Sequence, residues 1–182
     1  MNYYLAEHAY LPQGWQENVY LAIIDGQISY LSQTPLTEGK PEKLKGLLIP
    51  AMTNLHSHAF QRALAGLTEH TIGHSDTFWT WREAMYQLAM RFKPESLKVV
   101  AKQLYSEMLL AGYGSVVEFH YLHQPDPLAM SEALIEAALE TGIRLTLLPV
   151  LYQQGNFKGA ALSEGQKRFH LSLDDYHRLL SS

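Results

Sequence analysis

His56 and His58 stand one residue apart near the end of the run Leu47 to Arg62, LLIPAMTNLHSHAFQR. In an extended strand the side-chain period is two, so both imidazoles face one side. Two imidazoles on one face, at a strand's C-terminal end, can grip one metal ion from adjacent positions. Zinc takes such nitrogens at about 2.0–2.1 Å and in catalytic sites keeps one position open for water. With nine His in 182 residues, chance alone yields roughly 0.4 such pairs, so the pair gains weight only from its context. The residues before it, Leu47 to Asn54, read as a buried strand, apolar on both faces as parallel strands covered by helices are. The residues after it, Ala59 to Asp76, show no period and hold Glu69, His70, His74 and Asp76. A long loop in a compact domain is more often functional than idle.

The elements that must position these groups follow from the rest of the chain. Residues 2–32 have strand character, and Asp25-Gly26 between two apolar runs predicts a hairpin, because both turn positions must tolerate positive φ. Ser32 to Lys45 is polar and reads as a connection to the next module. Phe78 to about Arg91 reads as a helix. Pro94 suits a first helical position, and Leu97, Val100, Ala101, Leu104 and Met108 form an apolar stripe behind it. Gly112 and Gly114 stop that helix, and Ser115 to His120 is the next strand. Asp126-Pro127 opens another helix, Gly142 ends it, and Arg144 to Val150 is a third strand. Gly155 to Gly165 is a loop, and Ser172 with Asp175 resembles a capping box for a last helix. The alternation argues for parallel βα units. A complete (β/α)₈ barrel takes about 250 residues, more than residues 47–182 supply, so the expectation is a fragment or a shortened chain.

Composition narrows the function classes. The chain is 47% hydrophobic and 18% charged with a net charge of −4, that of one ordinary globular domain or one with a small appendage. No Lys/Arg-rich block supports nucleic-acid binding. Absence of cysteine excludes a disulfide framework, a thiolate metal site and a Cys nucleophile. The start, MNYYLAEHAYLPQGW, lacks the basic and apolar segments of a signal peptide. No apolar run reaches the roughly 18–20 residues needed to span a bilayer. The expectation is a cytoplasmic protein with no nucleic-acid and no membrane partner.

Asn54 to Thr68 (NLHSHAFQRALAGLT), Phe78 to Glu83 (FWTWRE), Glu118 to His123 (EFHYLH) and Gly142 to Tyr152 (GIRLTLLPVLY) together resemble the amidohydrolase superfamily. Within it, Gln61, the Trp79-x-Trp81-Arg82 run and His120-Tyr121 resemble the iminohydrolases that act on N-formimino-L-glutamate in histidine breakdown. The resemblance runs along essentially the whole chain but covers only the N-terminal portion of such enzymes. It implies an α/β fold: an incomplete (β/α)₈ TIM barrel over residues 47–182, preceded by a small partial β-sandwich over residues 1–46. It implies Zn2+ or another divalent metal held by His56 and His58, with the site incomplete in this chain. Gln61, Arg82 and Tyr121 match positions that hold the substrate, N-formimino-L-glutamate, and the resemblance implies a homodimer for the full-length form. The acid/base residues and remaining ligands belong to later strands, so no catalytic residue is expected within this chain. The chemistry is consistent: the substrate carries two carboxylates, and an Arg fork engages one bidentately.

Plainer roles stand beside these. His56 and His58 could be hydrogen-bonded histidines, Arg82 a surface guanidinium stacked on indole, and Tyr121 a packing residue with a satisfied hydroxyl. Gln61 is equally open. His120 and His123, three apart across a strand end, lack one-face geometry for a metal and suit loop or pocket-wall roles. Glu118 fits a mid-strand carboxylate paired with a neighbouring cation. Two other functions compete: a deaminase of the same superfamily acting on a purine-like ring, and a non-catalytic half-barrel remnant.

Overall fold

Asp25 and Gly26 adopt φ values of 51° and 75°, the positive pair a tight hairpin turn requires. They join β2 (Gly14–Ile24) to β3 (Gln27–Ser32) in this computed structural model, which describes residues 1–69 and 77–181. β1 (Asn2–Leu11) pairs antiparallel with β2, and β4 (Glu42–Leu48) lies parallel to β1, giving the order β3-β2-β1-β4. Ala6, Ala9 and Val19 form the buried centre of this sheet, with Leu44 and Leu48 packed against them. These elements make up a unit over Met1–Ala51, and Met52–Ser182 forms a second.

The apolar run Leu47 to Asn54 is not the single buried strand that its composition predicts. Pro50 has no N–H and a fixed φ, and it separates β4 from β5 (Met52–Ser57), which belong to different sheets. Leu47, Ile49, Met52 and Leu55 are exposed. The stretch read as a polar connection therefore contains the start of β4. His56 sits in β5 and His58 just past its end.

In the second unit, β5 is followed by a 3₁₀ turn (Ala59–Leu64), α1 (Phe78–Ala89) and α2 (Pro94–Leu110). Then come β6 (Tyr113–His120), α3 (Pro127–Thr141), β7 (Arg144–Pro149), a second 3₁₀ turn (Gly165–Phe169) and α4 (Leu173–Ser181). The three strands are parallel in the order β5-β6-β7, as the alternation predicts. Asp126 caps α3 by accepting from the Leu128 and Ala129 N–H groups, and Gly142 closes it with φ 84°. α2 buries Leu97, Ala101, Tyr105 and Met108, a helical spacing that lays one face on the sheet and on α3. Burying each large side chain of this core contributes roughly 1.5–3 kcal/mol. The outer face carries Lys98 and Lys102 paired with Glu136 and Glu140, exposed bridges of small energetic weight. No helix among the described residues is long and apolar enough to cross a membrane. His70, His74 and Asp76 lie outside the described residues.

Candidate functional site

The strand period brings His56 and His58 together. Their Nε2 atoms face each other at 2.9 Å. His58 donates from Nδ1 to the Phe119 carbonyl at 2.8 Å, which places its proton on Nδ1 and leaves a lone pair on Nε2. Burial lowers the His58 pKa, against the upward pull of that carbonyl, and the His56 charge lowers it further, so the neutral ligand form is favoured. His56 stacks on the Phe119 ring, centroids 5.3 Å apart. Two nitrogens on a tetrahedral ion at 2.0–2.1 Å stand about 3.3 Å apart, so a shift of a few tenths of an ångström seats both on one metal. The donor set thus fits two positions of a zinc site. No group of three or more His, Cys, Asp or Glu suited to a metal occurs among the described residues.

The 3₁₀ turn that follows carries Gln61 back toward the pair, its backbone N–H bonded to the His58 carbonyl at 2.9 Å. Arg62 anchors the turn to α2 through a two-pronged bridge with Glu107, at 2.7 and 2.8 Å. The Gln61 amide donates to the Tyr121 hydroxyl at 2.6 Å, and the Tyr121 ring meets His58 edge-on at 4.9 Å. Tyr121, Arg82, Tyr86 and Tyr152 line one cavity of about 260 Å³ over the Phe169 ring. Arg82 and Tyr152 also line a neighbouring cavity of about 670 Å³ with Trp79, Gln154 and Asn156. The Arg82 guanidinium lies over the Trp79 and Tyr86 rings, at 5.6 and 5.2 Å. Its Nε–H donates to the Tyr86 hydroxyl. It has no carboxylate partner among the described residues. The structure therefore brings His58, Gln61, Tyr121 and Arg82 to adjoining positions, and the stacking predicted for Arg82 coexists with an open fork. Sequence reasoning missed Tyr86, one helical turn beyond Arg82 and so detectable by its i, i+4 spacing.

Two expectations for β6 are corrected. Glu118 is buried and has no cation partner among the described residues; its carboxylate accepts from the Ala59 N–H and, at 3.5 Å, from the Tyr105 hydroxyl. Burial raises its pKa against those bonds. His120 is not a loop residue but the last of β6, whereas His123 lies in the loop after it, as expected. Both are buried with ring centroids 4.9 Å apart, because the chain turns inward after β6 and packs against the segment behind β7. The His123 Nε2–H donates to the Val150 carbonyl at 2.9 Å.

Gly165 opens the second 3₁₀ turn directly against the Tyr86 ring. A Cβ there would lie 2.9 Å from three Tyr86 carbons, closer than packing tolerates. Gly165→Ala should cost about 1–3 kcal/mol, read as a lower urea midpoint at unchanged slope. A midpoint equal to the parent's would show that Tyr86 yields freely.

Residues 47–179 match the sequence profile described as the amidohydrolase family. A curated formimidoylglutamate deiminase from Pseudomonas aeruginosa is 47% identical over 99% of this chain and 41% of its own length. The crystal structure of an amidohydrolase from Brucella melitensis superposes with a TM-score of 0.90 at 40% identity, over 100% of this chain and 42% of that one. An atrazine chlorohydrolase from Arthrobacter aurescens, solved with zinc, shares the fold with a TM-score of 0.75 at 19% identity, over 98% of this chain and 41% of its own. The chain thus spans about two fifths of the length of these relatives.

Proposed function

Because the chain belongs to the amidohydrolase family, we propose that it carries the metal-gripping and substrate-gripping portion of a formimidoylglutamate deiminase. The reaction is hydrolysis of N-formimino-L-glutamate to N-formyl-L-glutamate and ammonia, a step of histidine breakdown. In this reading residues 47–182 are the opening βα units of a (β/α)₈ barrel, and residues 1–46 are part of a β-sandwich. The observation that carries it is Arg82: a guanidinium over the Trp79 and Tyr86 rings, on a residue that lines a cavity, with no carboxylate of its own among the described residues.

His56 and His58 would hold the divalent ion, zinc in the chlorohydrolase relative. Such an ion supplies Lewis acidity and brings the pKa of a water ligand toward neutrality. The Nδ1 bond of His58 to Phe119 keeps its Nε2 lone pair aimed at that position. Arg82 engages one substrate carboxylate through the N–H groups that Tyr86 leaves free. Gln61 and Tyr121 lie between His58 and Arg82 and orient the ligand's polar stem. Fixing both ends of a small flexible molecule is how orientation lowers a barrier.

The test is Arg82→Lys in the complete enzyme this reading implies. Lysine keeps the charge and loses the planar fork. The Michaelis constant for formimino-glutamate should rise about tenfold, the scale of one charged hydrogen bond, while metal content stays at the parental value. Parental kinetics would mean that Arg82 serves only to stack on Trp79 and Tyr86.

A further inference from the structure

Three tyrosines line the cavity beside Arg82, and the hydroxyls of two of them have a polarity that their partners dictate. The Tyr86 hydroxyl accepts from Arg82 Nε, and a guanidinium can only donate. The Tyr152 hydroxyl accepts from Gln166 Nε2 at 3.0 Å. An amide could in principle be turned over, but Gln166 cannot. Its nitrogen also donates to the Gly155 carbonyl at 3.0 Å, and its oxygen accepts the Ser163 N–H at 2.9 Å. Turning the amide would set oxygen against oxygen and N–H against N–H. Gln166 is buried and its three bonds tie the Tyr152 wall to the 3₁₀ turn behind it.

A phenol whose oxygen is already accepting from behind has its own proton left to give. Neither the Tyr86 nor the Tyr152 proton has an acceptor among the described residues. Burial also raises the Tyr86 pKa, against the Arg82 bond, so that phenol keeps its proton at neutral pH. Tyr86, Tyr152 and Arg82 line the same, largely apolar space, which makes their O–H and N–H groups the donors of its wall. A ligand group that only accepts, and can take several donors at once, matches such a wall. An ionised carboxylate is such a group.

We infer that Tyr86 and Tyr152 join Arg82 in a receptor for one ligand carboxylate, and that Gln166 is the positioning residue that turns the Tyr152 proton toward it. This rests on the reading that the cavity takes a dicarboxylate, and it adds Tyr86, Tyr152 and Gln166 to the binding set. Gln166 acts through Tyr152, so its effect should depend on ligand charge, whereas a purely structural contribution would not.

Titration calorimetry of the 182-residue protein with glutarate, and with uncharged glutaramide as its isostere, tests the assignment. The parent should bind glutarate in preference to glutaramide, and Arg82→Lys should weaken glutarate. Tyr152→Phe and Tyr86→Phe, each lacking one oxygen, should each weaken glutarate about tenfold and leave glutaramide unchanged. Gln166→Glu should do the same, because its carboxylate would capture the Tyr152 proton. If the phenylalanine variants bind glutarate as the parent does, while Arg82→Lys still weakens it, the inference falls and the dicarboxylate reading stands. Equal weakening of both ligands by Gln166→Glu would reduce Gln166 to packing and overturn its assigned role. No preference for glutarate in the parent overturns the dicarboxylate reading and the inference with it.

Discussion

Acidification from pH 7.5 to pH 4 should remove about 3 kcal/mol or more of folding stability, and His123 alone should account for about 3 kcal/mol. His123 is fully buried, and burial pushes its imidazole down to about 4, against the upward pull of the Val150 carbonyl and with the help of the His170 charge. His120 is also pushed well below its ordinary value, by burial and then by the His123 charge. Both rings are therefore neutral in the fold and protonated in the unfolded chain at mildly acidic pH. Between the ordinary 6.5 and about 4, the unfolded state binds more protons, so stability falls as pH falls. The His123 contribution is complete above 6.5 and is lost as pH drops through 4. Glu118 works in the opposite sense. Burial raises its pKa, so its contribution is complete below the ordinary 4.5 and is lost as pH rises through the folded value, which offsets part of the acid loss.

His123→Gln isolates the effect. The glutamine amide nitrogen reaches about as far as Nε2 and can keep the bond to the Val150 carbonyl, but it does not titrate. Urea unfolding at pH 7.5, 5.5 and 4 should show a shallower loss in His123→Gln than in the parent, by about 3 kcal/mol across the range. Parallel pH profiles would show that the buried pair is not a source of acid lability.

What the amino-acid sequence reveals of this fold and its candidate site divides by the range of the interactions. Asp25-Gly26, Asp126-Pro127, Gly142 and the Ser172/Asp175 box act within a few residues, and each stands where its local chemistry predicts. The one-sidedness of His56 and His58 is likewise a property of two neighbouring positions. Features set by distant partners are not legible in this way. β4 exists because Glu42–Leu48 finds the free edge of β1; nothing inside KLKGLL announces that edge, and the apolar run across Pro50 points to the wrong strand. The partners of Glu118 are an N–H at position 59 and a hydroxyl at position 105, neither of which a mid-strand glutamate signals. Gln166 and Tyr152 are joined across a loop whose composition reads as a plain connection. Local punctuation is readable, whereas the groups that close the cavity depend on packing between elements.

A protein of these 182 residues, loaded with excess zinc and desalted, should retain well under one equivalent and release no ammonia from formimino-glutamate above the buffer rate. Tight zinc sites use four donors, or three and a water, and each lost donor costs affinity steeply because binding must also order the site. Here two imidazoles converge, and no third donor joins them among the described residues. Hydrolysis further needs a base within hydrogen-bond reach of the attacking water. Glu118 is committed to Ala59 and Tyr105 in the interior, and His120 and His123 are buried behind the strand ends. β5, which carries His56 and ends just before His58, has a ladder on one side only among the described residues, with Leu55 exposed. A donor pair on such an edge lacks the surrounding support that holds catalytic geometry, and a misplacement of about 1 Å can cost on the order of a hundredfold. Elemental analysis and a coupled ammonia assay decide the matter. Stoichiometric zinc, or turnover that vanishes with chelator and with His56→Ala, would overturn the prediction and would mean that further donors complete the pair.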